Sequence, residues 1–467
     1  MSSLTAVVLA AGLGTRMKSS LPKVLHPIAG RPLVHYAVNV AFQAGADRVI
    51  VVTSGQQQVE QALAREFGER IVTVVQDPPR GTGDAARIGI EQVTSERVLI
   101  LCGDTPLLRA EELVNLTAAL DQVGADELSF LTCALENPSG YGRVLRNAQG
   151  HVTEIREQRD LKTPAEHAAQ EVNSGVYAGK TASVRRALAE ISPNNSQGEY
   201  YLTDIVALIA QSSRVTGVSG HADALIGVND RGQLAEAEEI LLQRIRRRHA
   251  MNGVAVRGRA RIDEGVEIGQ DSVIEDGVCL RGTTRIGART VVDTGSVLTD
   301  ATIGDGALIK PYTVITSSRV GDGAQLGPFA HLRPDSEIEA EVHIGNFVET
   351  KKTRMRRGSK ANHLSYLGDG DVGERANIGA GTIFCNYDGY NKHKTTILAD
   401  AFIGSDSHMV APVTVGRNAY VATGTTVTQD VPDDALAIGR GKQSNKEGYA
   451  PRLKARFAAL KAAAKKP

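Results

Sequence analysis

A repeat of aliphatic-glycine pairs governs the second half of this 467-residue chain. The first four pairs, from Ile268-Gly269 onward, follow one another at spacings of 18, 17 and 17 residues. Three hexapeptides make about eighteen residues, one triangular coil of a parallel β-helix with aliphatic side chains inside. We therefore predict a β-helix over residues 252–467, with glycines turning its corners and loops in the longer gaps at 320–344 and 378–403. The other pairs are Ile286-Gly287, Ile303-Gly304, Val320-Gly321, Ile344-Gly345, Val372-Gly373, Ile378-Gly379, Ile403-Gly404 and Val415-Gly416.

Such a prism is thin and has flat walls, so we expect three copies to pack side by side as a homotrimer. The β-helix could be a purely structural scaffold. Against that reading stands His363, because histidine is the side chain best suited to proton transfer near neutral pH. We therefore treat His363 as a candidate general base.

A glycine turn near the start of the chain has the features of a phosphate-binding loop. An apolar run over residues 4–9 predicts a buried strand, and Gly12 and Gly14 let backbone N–H groups approach an anion before a helix starts. Arg16 and Lys23 supply positive charge. Neither the G-x-G-x-x-G spacing nor the Walker pattern is present. The segment reads Leu9-Ala10-Ala11-Gly12-Leu13-Gly14-Thr15-Arg16-Met17.

Residues 1–228 alternate apolar strand candidates with helix-like segments. This pattern predicts a Rossmann-like α/β domain, in which a mostly parallel sheet carries helices on both faces and a ligand crevice at the carboxyl ends of its strands. The predicted strands after the first are Val49–Val52, Ile71–Val75, Val98–Leu101 and Leu128–Thr132, and the predicted helices include Leu33–Ala44 and Gln57–Phe67.

Asp104 follows the strand candidate that ends at Leu101. Taken alone, it would most often be a helix N-cap. Nucleotidyl transfer, however, needs hard oxygen ligands for a divalent cation such as Mg²⁺, and Asn229 offers a second oxygen. We predict that Asp104 and Asn229 bind the metal.

Residues 229–251 predict a connecting helix, because apolar residues recur at helical spacing, with acidic residues early and arginines late. Lysine plus arginine equal aspartate plus glutamate at 53 each, so no global field favours nucleic acid or an anionic membrane. The four cysteines are scattered, and no leader or membrane-spanning run is evident. We expect a soluble, cytoplasmic protein with reduced thiols.

The glycine-turn segment and the following Leu21-Pro22-Lys23 resemble the sugar-1-phosphate nucleotidyltransferases. Later motifs narrow the resemblance to the bacterial bifunctional N-acetylglucosamine-1-phosphate uridylyltransferases / glucosamine-1-phosphate N-acetyltransferases, over nearly the whole chain. It implies that the enzyme acetylates glucosamine-1-phosphate with acetyl-CoA, on a left-handed β-helix. It further implies transfer of UMP from UTP to N-acetylglucosamine-1-phosphate with release of pyrophosphate, feeding peptidoglycan and lipopolysaccharide synthesis.

Three alternatives stay open at this point. One is a single-activity sugar-1-phosphate nucleotidyltransferase with a regulatory or trimerising β-helix. Another is a different nucleotide or sugar, as in ADP-glucose synthesis. The last is a non-catalytic assembly subunit, which should lack the set formed by Lys23, Asp104 and Asn229.

The resemblance assigns Gln76 and Gly81 to uracil, and Gly142, Glu157 and Asn173 to N-acetylglucosamine. This chain departs from the usual family pattern at two positions. Asp84 stands where a histidine is usual, and Cys102 stands where a tyrosine is usual. We expect the Asp84 carboxylate to weaken binding of anionic substrates. The full predicted set for UTP and UDP-N-acetylglucosamine is Leu9, Ala10, Ala11, Gly12, Arg16, Lys23, Gln76, Gly81, Thr82, Cys102, Gly103, Asp104, Gly142, Glu157, Asn173 and Asn229.

For the acetyltransferase, the resemblance makes His363 the catalytic base and predicts that Asn386 orients it. Ser405 would stabilise the oxyanion. Thr423 replaces a usual alanine, and Gly439 a usual serine. The predicted sugar-phosphate residues are Arg333, Lys351, Tyr366 and Asn377, and the predicted acetyl-CoA residues are Ala380, Asn386, Tyr387, Ser405, Thr423 and Arg440. Beyond Gly448 the resemblance fades into a short basic helix.

Overall fold

The computed structural model describes residues 3–121 and 127–464. The chain divides into two compact units. The first comprises Met1–Arg248 with Arg261–Gly265, and the second His249–Ala260 with Val266–Pro467. No helix in the described ranges is both long and apolar enough to cross a membrane.

The first unit is built on a mostly parallel sheet, as predicted. Only Glu171–Lys180 runs antiparallel to both of its neighbours in the main strand order. Each predicted strand forms, most of them one or two residues longer than expected. The order across the sheet is Val215–Ser219, Leu128–Ala134, Glu171–Lys180, Arg97–Cys102, Leu4–Ala10, Arg48–Thr53 and Ile71–Val75, with Arg143–Arg146 and Val152–Arg156 added beside Glu171–Lys180.

Helices cover both faces of this sheet and bury two apolar cores. One core contains Val38, Leu63 and Leu116 from three helices, and the other contains Ala86, Leu188 and Val206 from three more. Aliphatic strand residues fill the space between, since the strands are buried on both faces. The helices are Leu33–Gln43, Gln57–Phe67, Thr82–Ile90, Ala110–Ala119, Pro164–Ala168, Thr181–Glu190 and Asp204–Ala210.

Residues 1–251 also contain a two-stranded ribbon, the connecting helix and several 3₁₀ turns. Pro27–Ile28 and Arg31–Pro32 form a two-stranded ribbon. The predicted connecting helix forms over Arg231–Met251, and its Arg244 donates a hydrogen bond to the Leu107 carbonyl at 2.7 Å. The 3₁₀ turns are Thr15–Met17, Lys23–Leu25, Gly68–Arg70, Gln158–Asp160 and Ala222–Leu225.

The second unit is a left-handed parallel β-helix of three walls, and the helix Tyr449–Ala463 follows it. The first wall contains Ala255–Val256, Val273–Ile274, Val291–Val292, Leu308–Ile309, Gln325–Leu326, His343–Asn346, Lys360–His363, Asn377–Ile378, Phe402–Ile403, Tyr420–Val421 and Leu436–Ala437. The second contains Arg261–Ile262, Cys279–Arg281, Val297–Thr299, Val314–Thr316, His331–Leu332, Glu349–Lys351, Tyr366–Gly368, Ile383–Cys385, His408–Val410 and Thr426–Val427. The third contains Glu267–Ile268, Arg285–Ile286, Thr302–Ile303, Arg319–Val320, Glu337–Ile338, Arg354–Met355, Gly370–Val372, Thr395–Ile397 and Val413–Val415.

The glycines of the repeat do not act as predicted. A Cβ added at Gly345 would lie 1.8 Å from the carbonyl oxygen of Asn362, and one at Gly269 would lie 2.6 Å from the Ala288 nitrogen. These glycines are therefore needed because the next coil passes too close for a side chain. The positive-φ positions of the coils are taken by other residues, both glycines such as Gly295 at 68° and non-glycine residues such as Phe347 at 59°.

One of the two predicted loops is absent. Over residues 320–344 the coil continues without a break, because Glu337–Ile338 pairs in register with Arg319–Val320. The aliphatic position is kept there, and only the glycine after it is replaced, by Glu339. Between residues 378 and 403 the predicted loop is present, since Cys385 ends one strand and Thr395 begins the next.

Candidate active sites

The glycine turn that follows the first strand packs against Lys23. Gly14 has a φ of 63°, and a Cβ there would lie 2.5 Å from the Cβ of Lys23. Only glycine allows that approach without a shift. The turn leads into the 3₁₀ turn Thr15–Met17, which carries Arg16, and not directly into an α-helix.

A cavity of about 530 Å³ opens at the carboxyl ends of the strands. Twelve of the sixteen predicted nucleotide-site residues line it: Leu9, Ala10, Ala11, Gly12, Arg16, Lys23, Gln76, Gly81, Thr82, Cys102, Asp104 and Asn229. Gly103 lies beside it, with its N–H donating to the Leu9 carbonyl at 2.9 Å. Glu199, which was not predicted, also lines the cavity.

Two oxygen atoms in this cavity converge on one cation. The ammonium of Lys23 forms an ion pair with Asp104 Oδ2 and lies 3.3 Å from Asn229 Oδ1. The backbone supports this arrangement, because the Val228 N–H donates to the Asp104 carbonyl at 2.9 Å. One carboxylate and one amide oxygen, already directed at a positive charge, fit a hard divalent cation that completes its coordination with phosphates and water.

Asp84 does not face the cavity, which corrects the expected effect of its charge. The residue is fully buried, and its carboxylate pairs with Arg80 at 3.1 Å and Arg87 at 2.6 Å. Two guanidinium groups therefore compensate its charge. Gln76, which does line the cavity, donates to Asp84 Oδ2 at 2.8 Å.

The three residues assigned to the sugar lie together. The Asn173 N–H donates to the Gly142 carbonyl at 3.0 Å, and a Cβ on Gly142 would lie 3.4 Å from Glu157 Oε1. Burial raises the pKa of Glu157, although Thr203 donates a hydrogen bond to it at 3.2 Å. Tyr177 accepts from Asn173 Nδ2 at 2.8 Å, a contact that the sequence did not suggest.

Cys102 connects this group to the cavity. Its thiol lies 3.7 Å from the Gly175 carbonyl, two residues after Asn173. Burial above all, and then the nearby Asp104 carboxylate, raise the pKa of this thiol to about 12. Cys102 is therefore a neutral packing group near neutral pH. None of the four cysteines forms a disulfide.

In the second unit, His363 stands on a corner of the coil in a column of polar and small residues. Backbone hydrogen bonds connect this corner from coil to coil. The His363 carbonyl accepts a hydrogen bond from the Gly381 N–H at 3.4 Å, and the Ala380 carbonyl accepts one from the Asp406 N–H at 2.7 Å. On the next coil, the Ser405 carbonyl accepts one from the Gly424 N–H at 2.9 Å. Neighbouring strands lie about 4.8 Å apart. Four of the predicted residues, His363, Ala380, Ser405 and Thr423, therefore follow one another along a single corner. Arg440 joins the end of this column by donating to the Thr423 carbonyl.

The predicted sugar-phosphate residues are divided between two walls. Arg333, Lys351 and Tyr366 belong to the second wall or directly follow one of its strands, and Arg333 forms an ion pair with Glu349 at 2.8 Å. Asn377 lies on the first wall instead, in register with Lys360. A single chain does not gather all four around one concave space, because the corner that carries His363 lies between those walls.

Asn346, and not Asn386, contacts the catalytic candidate. The strands pair Asn346 with His363, and Asn346 Oδ1 lies 3.1 Å from His363 Nδ1. Asn386 directly follows the strand Ile383–Cys385 of the second wall, where its side chain donates a hydrogen bond to Asp369 Oδ2 at 2.5 Å. The predicted orienting role of Asn386 is therefore not seen. Tyr387 follows it on the extruded loop and is half exposed.

An exposed aromatic ladder, consisting of Tyr312, Phe329 and Phe347, occupies the same corner on earlier coils. Successive rings are stacked at centroid distances of 5.3 Å and 5.5 Å. About half of each residue is exposed, and Leu364, beside His363, extends the apolar strip at 61% exposure. Sequence reasoning missed this ladder, although spacings of 17 and 18 residues match the period of the coil.

The chain joins a nucleotide-handling α/β unit to a β-helix of hexapeptide repeats, a combination that fits a transferase. Residues 6–161 match the family model of the MobA-like NTP transferase domain, and residues 395–429 match that of the hexapeptide repeat of succinyl-transferase. A bifunctional protein GlmU of Sorangium cellulosum is 58% identical to this chain and covers 99% of it and 98% of its own length. GlmU proteins of Trichlorobacter lovleyi and of an Anaeromyxobacter species are 45% and 48% identical, over 96% and 97% of this chain and 98% and 93% of their own.

The chain belongs to the bifunctional GlmU family. This membership confirms the prediction of a bifunctional enzyme with uridylyltransferase and acetyltransferase activities, and favours it over a single-activity enzyme. The predicted roles of individual residues stay predictions.

Proposed function

We propose that the cavity of the first unit binds UTP and N-acetylglucosamine-1-phosphate and joins them into UDP-N-acetylglucosamine. The observation that carries this proposal is the convergence of the glycine turn, Lys23, Asp104 and Asn229 in one cavity. In this arrangement Gln76 and Gly81 contact uracil, and the group formed by Gly142, Glu157 and Asn173 binds the sugar.

The reaction needs no covalent intermediate. A phosphate oxygen of the sugar phosphate attacks the α-phosphorus of UTP in line, and the bond from that phosphorus to the pyrophosphate oxygen breaks. Arg16 and Lys23, with N–H groups of the glycine turn, stabilise the charge that develops on the transferred group and on pyrophosphate. To do so, Lys23 leaves its ion pair with Asp104 and moves to the phosphates.

Asp104 and Asn229 would hold Mg²⁺ in the place that the Lys23 ammonium now takes. When bound, the ion would neutralise phosphate charge and align the triphosphate for attack. Burial raises the pKa of Glu157, and its carboxyl group would form a hydrogen bond with a sugar hydroxyl.

We propose that the second unit acetylates glucosamine-1-phosphate with His363 as general base. The Asn346 oxygen can only accept, so the proton of His363 lies on Nδ1 and Nε2 is free to take a proton. The glucosamine nitrogen attacks the thioester carbonyl, His363 removes its proton, and the carbon-sulfur bond breaks to release coenzyme A. Ser405 would stabilise the oxyanion, and acetyl-CoA would extend along the column towards Arg440.

We propose that the acetyltransferase works as a homotrimer with each site shared between neighbouring coils. A convex corner cannot enclose two anionic substrates, and ligand sites are normally concave. The exposed aromatic ladder beside His363 is an apolar surface of the kind that a second copy would cover. We also propose that the enzyme works in the cytoplasm, where UTP and acetyl-CoA are available.

Omission of substrates and two matched variants test the residue assignments. The full-length enzyme is incubated with glucosamine-1-phosphate, acetyl-CoA and UTP, leaving out each in turn. Asp104→Ala should accumulate N-acetylglucosamine-1-phosphate, because only the metal site is lost. His363→Ala should make no acetylated sugar, but should still convert supplied N-acetylglucosamine-1-phosphate. Undiminished uridylyl transfer by Asp104→Ala at ordinary Mg²⁺ would exclude the metal assignment.

A further inference from the structure

A buried anion lies next to the cavity of the first unit. Asp84 is in the first turn of the helix Thr82–Ile90 and has no exposed surface. Its Oδ1 accepts from Arg87 at 2.6 Å and from Arg80 at 3.1 Å. Although burial opposes ionisation, hydrogen bonds from Gln76, Arg87 and Arg80 hold the pKa of Asp84 below its ordinary value. The carboxylate is thus a permanent hydrogen-bond acceptor near neutral pH.

Asp84 determines which way the carboxamide of Gln76 points. Gln76 Nε2 donates to Asp84 Oδ2 at 2.8 Å and to the Gly81 carbonyl at 3.1 Å, so both of its hydrogens are used. The reverse orientation would place the amide oxygen against two acceptors, neither of which carries a proton. Gln76 Oε1 accepts from no other residue in the described ranges and is left for a ligand in the cavity that Gln76 lines.

The orientation of Gln76 sets the hydrogen-bonding polarity of the base site. Gln76 offers an acceptor, and Gly81 offers its backbone N–H as a donor. Uracil presents an N3–H donor beside the O4 acceptor, whereas cytosine presents an unprotonated N3 beside an amino donor. The acceptor and donor of the protein therefore match uracil and oppose cytosine at both atoms.

We propose that Asp84 is a positioning residue that holds the Gln76 oxygen towards the base and so makes the enzyme select UTP over CTP. This inference rests on the proposed assignment of Gln76 and Gly81 to the base. Asp84 itself touches no substrate, since its charge is enclosed by Arg80, Arg87 and Gln76.

Asp84→Asn tests the proposal with almost no change in shape. Arg80 and Arg87 can only donate, so they retain the asparagine oxygen and leave its amino group facing Gln76. The asparagine amino group then opposes the Gln76 amino group, so only the Gly81 carbonyl still favours the orientation with Gln76 Oε1 towards the base. We expect the ratio of kcat/KM for UTP to kcat/KM for CTP to fall at least tenfold, mainly through a higher KM for UTP.

A matched control separates positioning from stability. Asp223 is a second carboxylate of the first unit held by two arginines, Arg109 at 3.2 Å and Arg244, and none of these three lines the cavity. Asp223→Asn should lower the melting temperature without changing the UTP to CTP ratio. If Asp84→Asn does not fold, Asp84→Asn/Arg87→Gln removes one of the two paired cations together with the anion and provides the same measurement.

Gln76→Ala distinguishes failure of this inference from failure of the base assignment. If Gln76→Ala lowers the ratio but Asp84→Asn loses activity equally with UTP and CTP, Asp84 has no positioning role and the inference is wrong. If Gln76→Ala leaves the ratio unchanged, the base assignment is wrong, and the inference fails with it. A fall in both variants, with no fall in Asp223→Asn, is the expected result.

Discussion

A single charge on the aromatic ladder should separate the two activities of this enzyme. Phe347 is 55% exposed and stacks on Phe329, on the corner that leads to His363. If a neighbouring coil covers it in a trimer, about 100 Å² of apolar surface is buried, worth about 2.5 kcal/mol at about 25 cal/mol per Å². Phe347→Glu forfeits this contribution and must also bury a carboxylate, which costs several kcal/mol more.

The sum, at least about 5 kcal/mol per contact, weakens each contact more than about a thousandfold. We therefore expect Phe347→Glu to sediment as a monomer and to lose acetyl transfer. It should retain uridylyl transfer, because all the proposed residues of that site lie in the first unit. Sedimentation velocity and separate assays of the two reactions, at one protein concentration, measure both effects.

Val114→Glu is the matched control, because Val114 is 46% exposed and belongs to the helix Ala110–Ala119 of the first unit and not to the β-helix. This variant should keep the trimer and both activities. Phe347→Leu should also keep them, since leucine is apolar. A Phe347→Glu enzyme that remains trimeric and acetylates at the normal rate would refute the shared site.

Three further changes test other parts of the structure. Asn346→Ala should lower kcat for acetylation about fivefold with little change in KM, since one hydrogen bond that orients His363 is worth about 1 kcal/mol. Steady-state kinetics with unchanged kcat would argue against that role. Burial, with neighbouring carboxylates, raises the pKa of Asp204 to about 6, so the folded state loses stability as pH rises from about 4 through 6. Asp204→Asn should therefore raise the free energy of unfolding at pH 8 by about 1 kcal/mol after solvent screening, but not at pH 4.5. Equal changes in melting temperature at both pH values would contradict the assignment. Gly345→Ala places a Cβ 1.8 Å from the Asn362 oxygen and should abolish acetylation while uridylyl transfer persists, which the same paired assays measure.

The β-helix could be predicted well from the sequence because its contacts join residues one coil apart. Outside the loop between residues 385 and 395, most inward positions repeat after 17 or 18 residues, so the period predicts which side chains are buried. The prediction of a loop at 320–344 was wrong because it relied on glycine as the marker. Ile338 keeps the inward position, whereas Glu339 replaces the glycine and forms an ion pair with Arg354 at 2.6 Å.

The partners of the site residues were harder to predict than the residues themselves. Asn346 lies 17 residues before His363, so the coil period could have identified it had the period been applied to outward side chains. The hydrogen bonds of Asp84 with Gln76, Arg80 and Arg87 could not be predicted from a sequence period. Whether Asp84 faces the phosphates or the arginines depends on the helix that begins at Thr82, and a motif does not contain that orientation.

The two sites differ in what a single chain can supply. In the first unit, residues as distant as Leu9 and Asn229 converge because parallel strands end at one edge, and that convergence is concave. In the second unit, His363, Ala380, Ser405 and Thr423 follow one convex corner, because each coil repeats the position of the coil before it. A repeated coil can align residues but cannot surround a substrate. The same regularity that made the β-helix predictable is therefore the reason that its site should need a neighbouring copy.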